Sequence, residues 1–222
     1  MRLDLHVHSI HSSDGRGTPG DIVRQAKKHG LEGVSITDHN THEGSTQARA
    51  QVGSEKGFVV VRGIEVSAKE GHVLVYGVGE NFEKGLSASE VARIARDRGG
   101  IAVAAHPYRH WTGVGESVVR KVDFVAIEGL NSNSDKNGNA RSRKLAAELK
   151  KPMVGGSDAH ELGMVGAGFT AFDETLETEE QIIDAIARGA CKPEGMSASP
   201  AAGLRNTLGN FTAWLGRGMK RM

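Results

Sequence analysis

Apolar and polar positions alternate with a period of two over residues 2–8, then give way to helical spacing, and the same exchange recurs along the chain. β-branched runs at residues 33–37, 58–64, 72–78, 101–105, 124–127, 153–156 and 167–172 read as further strands, with helices between most of them. Thr18-Pro19 is a cap with proline in the first turn, and Ile22, Val23, Ala26 and the stop at Gly30 complete the first helix. Residues 89–98, 140–149 and 179–188 are amphipathic helices, each followed by glycine or proline. Strand–helix alternation of this kind predicts parallel strands joined by crossover helices. Only a short glycine-containing link separates the third and fourth strands, so the alternation is broken there.

With 222 residues, 38% of them hydrophobic, the chain is long enough for one well-buried domain. Residues 1–191 are expected to form it. From Lys192 onward the charge turns basic, +4 against −3 for the rest. Leu204, Leu208, Phe211 and Leu215 stand at helical spacing, so residues 192–222 read as a basic tail whose amphipathic helix packs on the body. No apolar run reaches membrane-spanning length and the N-terminus lacks the pattern of a secretory signal; a cytoplasmic protein without a membrane partner is the expectation. The single cysteine, Cys191, leaves no internal disulfide and no thiolate metal site.

Histidine changes the picture most. Ten are present, and most stand where an expected strand ends. In a barrel of parallel strands the carboxyl ends converge on one face, so residues far apart in sequence share a site. His6 and His8 end the first strand, and period-two geometry points both imidazoles one way. Asp14 follows in a turn; Thr37-Asp38-His39 ends the second strand, and Glu65 lies among apolar neighbours near the end of the third. A buried glutamate is costly unless it is paired or bound to metal. His106 ends the fifth strand, and Asp158 and His160 follow the seventh. His72 begins its strand, which therefore runs opposite to the others or bends. Six imidazoles and three carboxylates are too many for one tetrahedral ion and suit two or three divalent ions. Nitrogen and oxygen donors without thiolate match zinc, manganese or iron.

The ordered set His6-x-His8, Asp14, Asp38-His39, Glu65, His72, His106-Pro107 and Asp158-x-His160 resembles the PHP family, named for polymerase and histidinol phosphatase domains, over residues 1–191. The resemblance implies a distorted seven-stranded α/β barrel, similar to a TIM barrel, and a trinuclear centre hydrolysing phosphate esters. It assigns one ion to His6, His8, Glu65 and Asp158, with Glu65 bridging to a second held by His72 and His106. Asp14, His39 and His160 would take a third. It further implies a small phosphorylated substrate, such as a nucleotide bisphosphate or histidinol phosphate, or a short oligonucleotide, with no obligate protein partner.

Glu65 and Asp158 are thus expected to serve catalysis as ligands, and Arg109, three residues past His106, is the candidate cation for the charge on the reacting phosphate. Asp38 is expected to orient His39 by hydrogen bonding, and Glu128 and Asn131 to line the rim. His11, His42 and His110 are placed to contact substrate, whereas His29 belongs to a helix end. Two other readings start from the same residues. One is an amidohydrolase-like enzyme acting on a carbon–nitrogen bond, which lacks here the strand-end lysine such sites use. The other is a non-catalytic, metal-stabilised barrel that binds nucleic acid through the basic tail.

Overall fold

A computed structural model describes residues 1–198. The helix expected within residues 197–222 falls, from residue 199 on, outside the described residues. Nine strands form one sheet: β1 (Arg2–Val7), β2 (Gly33–Ile36), β3 (Val59–Ser67), β4 (His72–Tyr76), β5 (Ile101–Ala104), β6 (Ala126–Asn131), β7 (Met153–Gly156), β8 (Gly168–Ala171) and β9 (Lys192–Gly195). Their order is β7-β6-β5-β4-β3-β2-β1-β8-β9. Six helices connect them: α1 (Pro19–Lys28), α2 (Glu43–Val52), α3 (Ala88–Asp97), α4 (Glu116–Val119), α5 (Lys136–Leu149) and α6 (Glu179–Arg188). No described helix is long and apolar enough to cross a membrane.

Local chemistry sets the helix starts. Thr18 accepts from the Asp21 backbone N–H ahead of α1, and Ser87 with Glu90 and Thr178 with Gln181 close capping boxes on α3 and α6. Asp135 caps α5 through the Gly138 N–H, so this helix begins four residues before the apolar periodicity suggests. Gly189 ends α6 in the left-handed region, the usual glycine stop.

Strands β1, β2 and β3 run parallel, as do β5, β6 and β7, while β4 is antiparallel to both neighbours. The short Ala68–Gly71 link permits this reversal and brings the start of β4 to the end of β3. Alternation along β3 and β4 sends Ile64, Val66, Val73 and Val75 into a cluster with Val91 and Ala95 of α3. Val61, Leu74 and Tyr76 pack on the other side with Leu3, Leu5, Val103 and Val154. The Tyr76 hydroxyl donates to the Leu5 carbonyl at 2.8 Å, tying β4 to β1 across this buried layer.

The sheet closes on itself where the chain leaves β7. The Asp158 N–H donates to the His6 carbonyl at 2.7 Å and the His8 N–H to the Ala159 carbonyl at 2.9 Å, a parallel bridge between Val7 and Ala159. Seven strands thus make a nearly closed α/β barrel, the class expected from the sequence. Strands β8 and β9 continue the sheet beyond β1 as an antiparallel pair. The β9 strand was not legible as one, since its Lys-Pro-Glu-Gly sequence lacks β-branched residues.

A register shift in β1 lies between Asp4 and Val7, beside His6. Bulges of this kind re-aim side chains at barrel rims. Closure also demands a residue without a side chain at Gly156, where a Cβ would strike the Cβ and backbone of His6. Gly156→Ala is therefore expected to cost about 1–3 kcal/mol through overpacking and to weaken metal binding with it, measured by denaturant unfolding and metal titration of the same sample.

Candidate metal centre

All nine residues singled out as metal ligands meet at the end of this barrel where its parallel strands finish. Glu65, only 1% exposed, is the hub. Its Oε1 lies 2.9 Å from His72 Nδ1, 3.0 Å from His106 Nε2 and 3.4 Å from His6 Nε2. Its Oε2 lies 3.2 Å from His8 Nε2 and 3.5 Å from His39 Nδ1. Asp158 Oδ1 approaches His8 Nε2 at 3.3 Å and His6 Nε2 at 3.5 Å. Asp14 Oδ2 stands between His160 Nε2 at 3.2 Å and His39 Nε2 at 3.4 Å, on the more exposed side. Four overlapping triads have ligand atoms within 4.8 Å of one another: His6, His8 and Asp158; His6, Glu65 and His106; His8, Asp14 and His160; His8, His39 and Glu65.

Backbone geometry is spent on this arrangement. Of the five non-glycine residues with positive φ among the described ones, His106 (25°) and Asp158 (54°) belong to the cluster. Such conformations cost on the order of 1–3 kcal/mol each and persist only where surrounding structure enforces them. For Asp158 the enforcement is the closure bond to His6; for His106 it is a 2.7 Å bond from its N–H to Glu128.

The electrostatics call for cations. Burial opposes ionisation of Glu65, but His72, His6 and His39 hold its carboxyl well below the usual range. Burial likewise opposes Asp158, and Arg109 and His6 hold it low. Against its own burial, His8 is carried up to about 10 by hydrogen bonds to Asp158 and Glu65, and His6 is pushed up by Asp158, Glu128 and Glu65. Burial first takes His72 the other way, down to about 4. A buried site that keeps its carboxylates ionised needs compensating positive charge. Divalent ions held by these residues would supply that charge. Two buried cluster atoms, His106 Nδ1 and Asp14 Oδ1, also lack any hydrogen-bond partner. Donor chemistry, convergence and these orphan atoms fit a metal centre.

Around the donors lies a supporting layer that the sequence indicated poorly. Glu128, expected at the rim, is fully buried beneath the cluster; its Oε1 accepts from His6 Nδ1 at 2.8 Å and so turns Nε2 toward the other donors. Asn131, also fully buried, donates to both Glu128 oxygens and to Asp158 Oδ2, each at 3.2 Å. Asp38 does not orient His39. Its carboxylate accepts from the Ser9 N–H at 2.6 Å and Ser9 hydroxyl at 2.7 Å, fixing the loop after β1. The His39 backbone instead donates to Ser12 Oγ at 2.8 Å, and that hydroxyl also contacts His8 Nδ1 at 3.3 Å.

Arg109 reaches the cluster, pairing through Nη1 with Asp158 Oδ2. Its side chain remains 15% exposed, so it faces both the donors and the mouth. His11 lies 3.9 Å from Glu43, and His42 bonds Thr46 at 2.8 Å on the surface. His29 bonds the Val165 carbonyl at 2.6 Å, away from the donors. Beyond β9, the Ala198 N–H donates to Ser134 O at 3.0 Å and Asn139 Nδ2 to Ser197 Oγ at 3.0 Å, so the described chain ends against the segment that follows Asn131, the last residue of β6.

A family model described as PHP domain matches residues 4–152. The chain belongs to the PHP domain family. A model described as PHP-associated matches residues 136–191 of this PHP chain. Uncharacterized protein MJ1587 of Methanocaldococcus jannaschii is 36% identical over 118 residues, 49% of this chain and 68% of that protein. A phosphoribosyl 1,2-cyclic phosphate 1,2-diphosphodiesterase of Eggerthella lenta is 43% identical over 86 residues, covering 36% of this chain and 32% of the diesterase. A two-domain Bacteroides vulgatus protein containing a PHP-like metal-dependent phosphoesterase superposes with a TM-score of 0.73 at 18% identity, over 88% of this chain and 65% of that one. The chain thus spans about two thirds of the length of the first relative and a third of the second.

Glu128→Gln places an amide where His6, His106 and Asn131 all present N–H groups. Metal affinity, measured by calorimetric titration, is expected to fall about 10–100-fold while the fold is retained.

Proposed function

We propose that this PHP domain hydrolyses a phosphomonoester or a terminal phosphodiester, such as a nucleotide bisphosphate, a short oligonucleotide end or a histidinol-phosphate-like ester. The observation that carries this reading is the meeting of nine N and O donors with the guanidinium of Arg109 in one partly open site. His6, His8, Glu65 and Asp158 would hold one ion, His72 and His106 a second shared with Glu65, and Asp14, His39 and His160 a third. Zinc, manganese and iron all suit this donor set. Bound ions of this kind neutralise phosphate oxygens and make water a nucleophile near neutral pH.

The chain's own residues do the remaining work. Glu65 contacts five imidazoles, so its two oxygens are suited to bridging. Asp158 offers Oδ1 to His6 and His8 and Oδ2 to Arg109, which fixes the guanidinium at the edge of the donors before substrate arrives. Arg109 would there face phosphate oxygens whose charge redistributes as the ester bond breaks. Asn131 and Glu128 keep Asp158 and His6 in place without touching substrate.

Metal-loaded protein is expected to hydrolyse a chromogenic phosphate ester, to lose that activity to a chelator and to regain it with added manganese, zinc or iron. Glu65→Ala should be inactive under all these conditions; turnover near the parent rate would overturn the reading, as would activity confined to amides. Arg109→Ala should retain its metal content but lose about 10²–10³ in kcat, the scale of one removed charge-stabilising donor. A metal analysis and a rate assay on the same preparation separate the two effects.

A further inference from the structure

Among the described residues four large apolar side chains are exposed: Ile10, Trp111, Met164 and Met196. Ile10 (53%) and Trp111 (54%) stand on loops that leave cluster-bearing ends of strands, two residues past His8 and two past Arg109. His8 and His106 both converge on Glu65, so these two loops leave the same end of the barrel. Exposed apolar groups beside a site, unlike single ones dispersed over a surface, mark recognition.

Trp111 is the more constrained of the two. Its φ of 72° is left-handed, an outlier for a bulky residue. The loop is locked around it: the Arg109 N–H donates to His106 O at 2.9 Å, the Gly113 N–H to Arg109 O at 3.1 Å, and the β4 residue His72 donates its N–H to Thr112 O at 2.9 Å. Gly113 has no room for a side chain, since a Cβ would lie 2.7 Å from the His106 and Arg109 carbonyl oxygens. His110 stacks on the indole, ring centroids 5.5 Å apart and planes 27° from parallel. The strained backbone holds an indole half in solvent beside the cluster, and outliers of this kind gather at ligand clamps.

We propose that Trp111, backed by His110, is a specificity-determining platform for a planar aromatic leaving group, on the same barrel end as the exposed Ile10. This rests on the phosphoesterase reading above and adds to it a preference: esters of a nucleoside or another aromatic alcohol over esters of an aliphatic polyol. The two-residue spacing from Arg109 sets the ring within one nucleoside's reach of a phosphate held at the donors. With one such platform among the described residues, a single base is bound rather than a strand, whose recognition uses several stacked bases.

The test compares a nucleoside 5′-monophosphate with glycerol 3-phosphate on the metal-loaded full chain. Trp111→Ala should raise KM for the nucleotide about 5- to 100-fold, leave glycerol phosphate turnover unchanged, and be largely rescued in Trp111→Phe. Quenching of Trp111 fluorescence by the nucleoside alone, in a Trp214→Phe background, reads ring binding without any turnover. Equal effects on both esters, or no quenching, overturn the platform. Failure of the parent protein to hydrolyse either ester overturns the phosphoesterase reading instead, and the quenching still decides the platform on its own.

Discussion

Five imidazoles surround the buried carboxylate of Glu65, and the barrel is arranged so that they can. Isolated in an apolar interior, that carboxylate would be protonated or would destabilise the fold. Its neighbours come from β1, the end of β2, the start of β4 and the end of β5, so the charge is answered only when those elements are all in place. Bound cations would act on folding as well as on chemistry, because a ligand that binds only the folded state stabilises it by mass action.

The reversal of β4 is the structural step that makes this possible. A strand running with its neighbours would have presented its last residue to the site; running against them, it presents its first, His72, from a turn of only a few residues after Glu65. Closure between β1 and the segment after β7 does the equivalent work on the other side, bringing Asp158 to His6 and His8. Most strands are therefore short, and the long β3 carries the central carboxylate.

The donors were legible in the sequence because their position is a local property: His6, His8, His39, His106 and Asp158 each stand where an apolar run stops, and His72 where one starts. The strand–helix alternation followed from the same runs, and the barrel from the family resemblance that the donors carry. The supporting residues were legible only as residue types. Whether Glu128 lies at the rim or beneath His6 depends on the packing of β6 against β1, and Asp38 bonds Ser9 rather than its neighbour His39 because the two loops meet in space. Likewise β9 exists through pairing with β8, not through its own propensity, and α5 gains its first turn from the Asp135 cap. Strain escaped sequence reading altogether, since nothing in Trp111 or Asp158 announces a left-handed backbone.

The contacts of Ser197 and Ala198 with Asn139 and Ser134 carry a further meaning. Asn139 holds the backbone of Asn131, which in turn holds Asp158, so the described chain ends one hydrogen-bonded step from a side chain that supports the donors. A change at Ser197 is therefore felt at Asp158 through Asn139 and Asn131, whereas the N-terminal ammonium, which donates to Phe172 O, is fixed at the opposite end of β1.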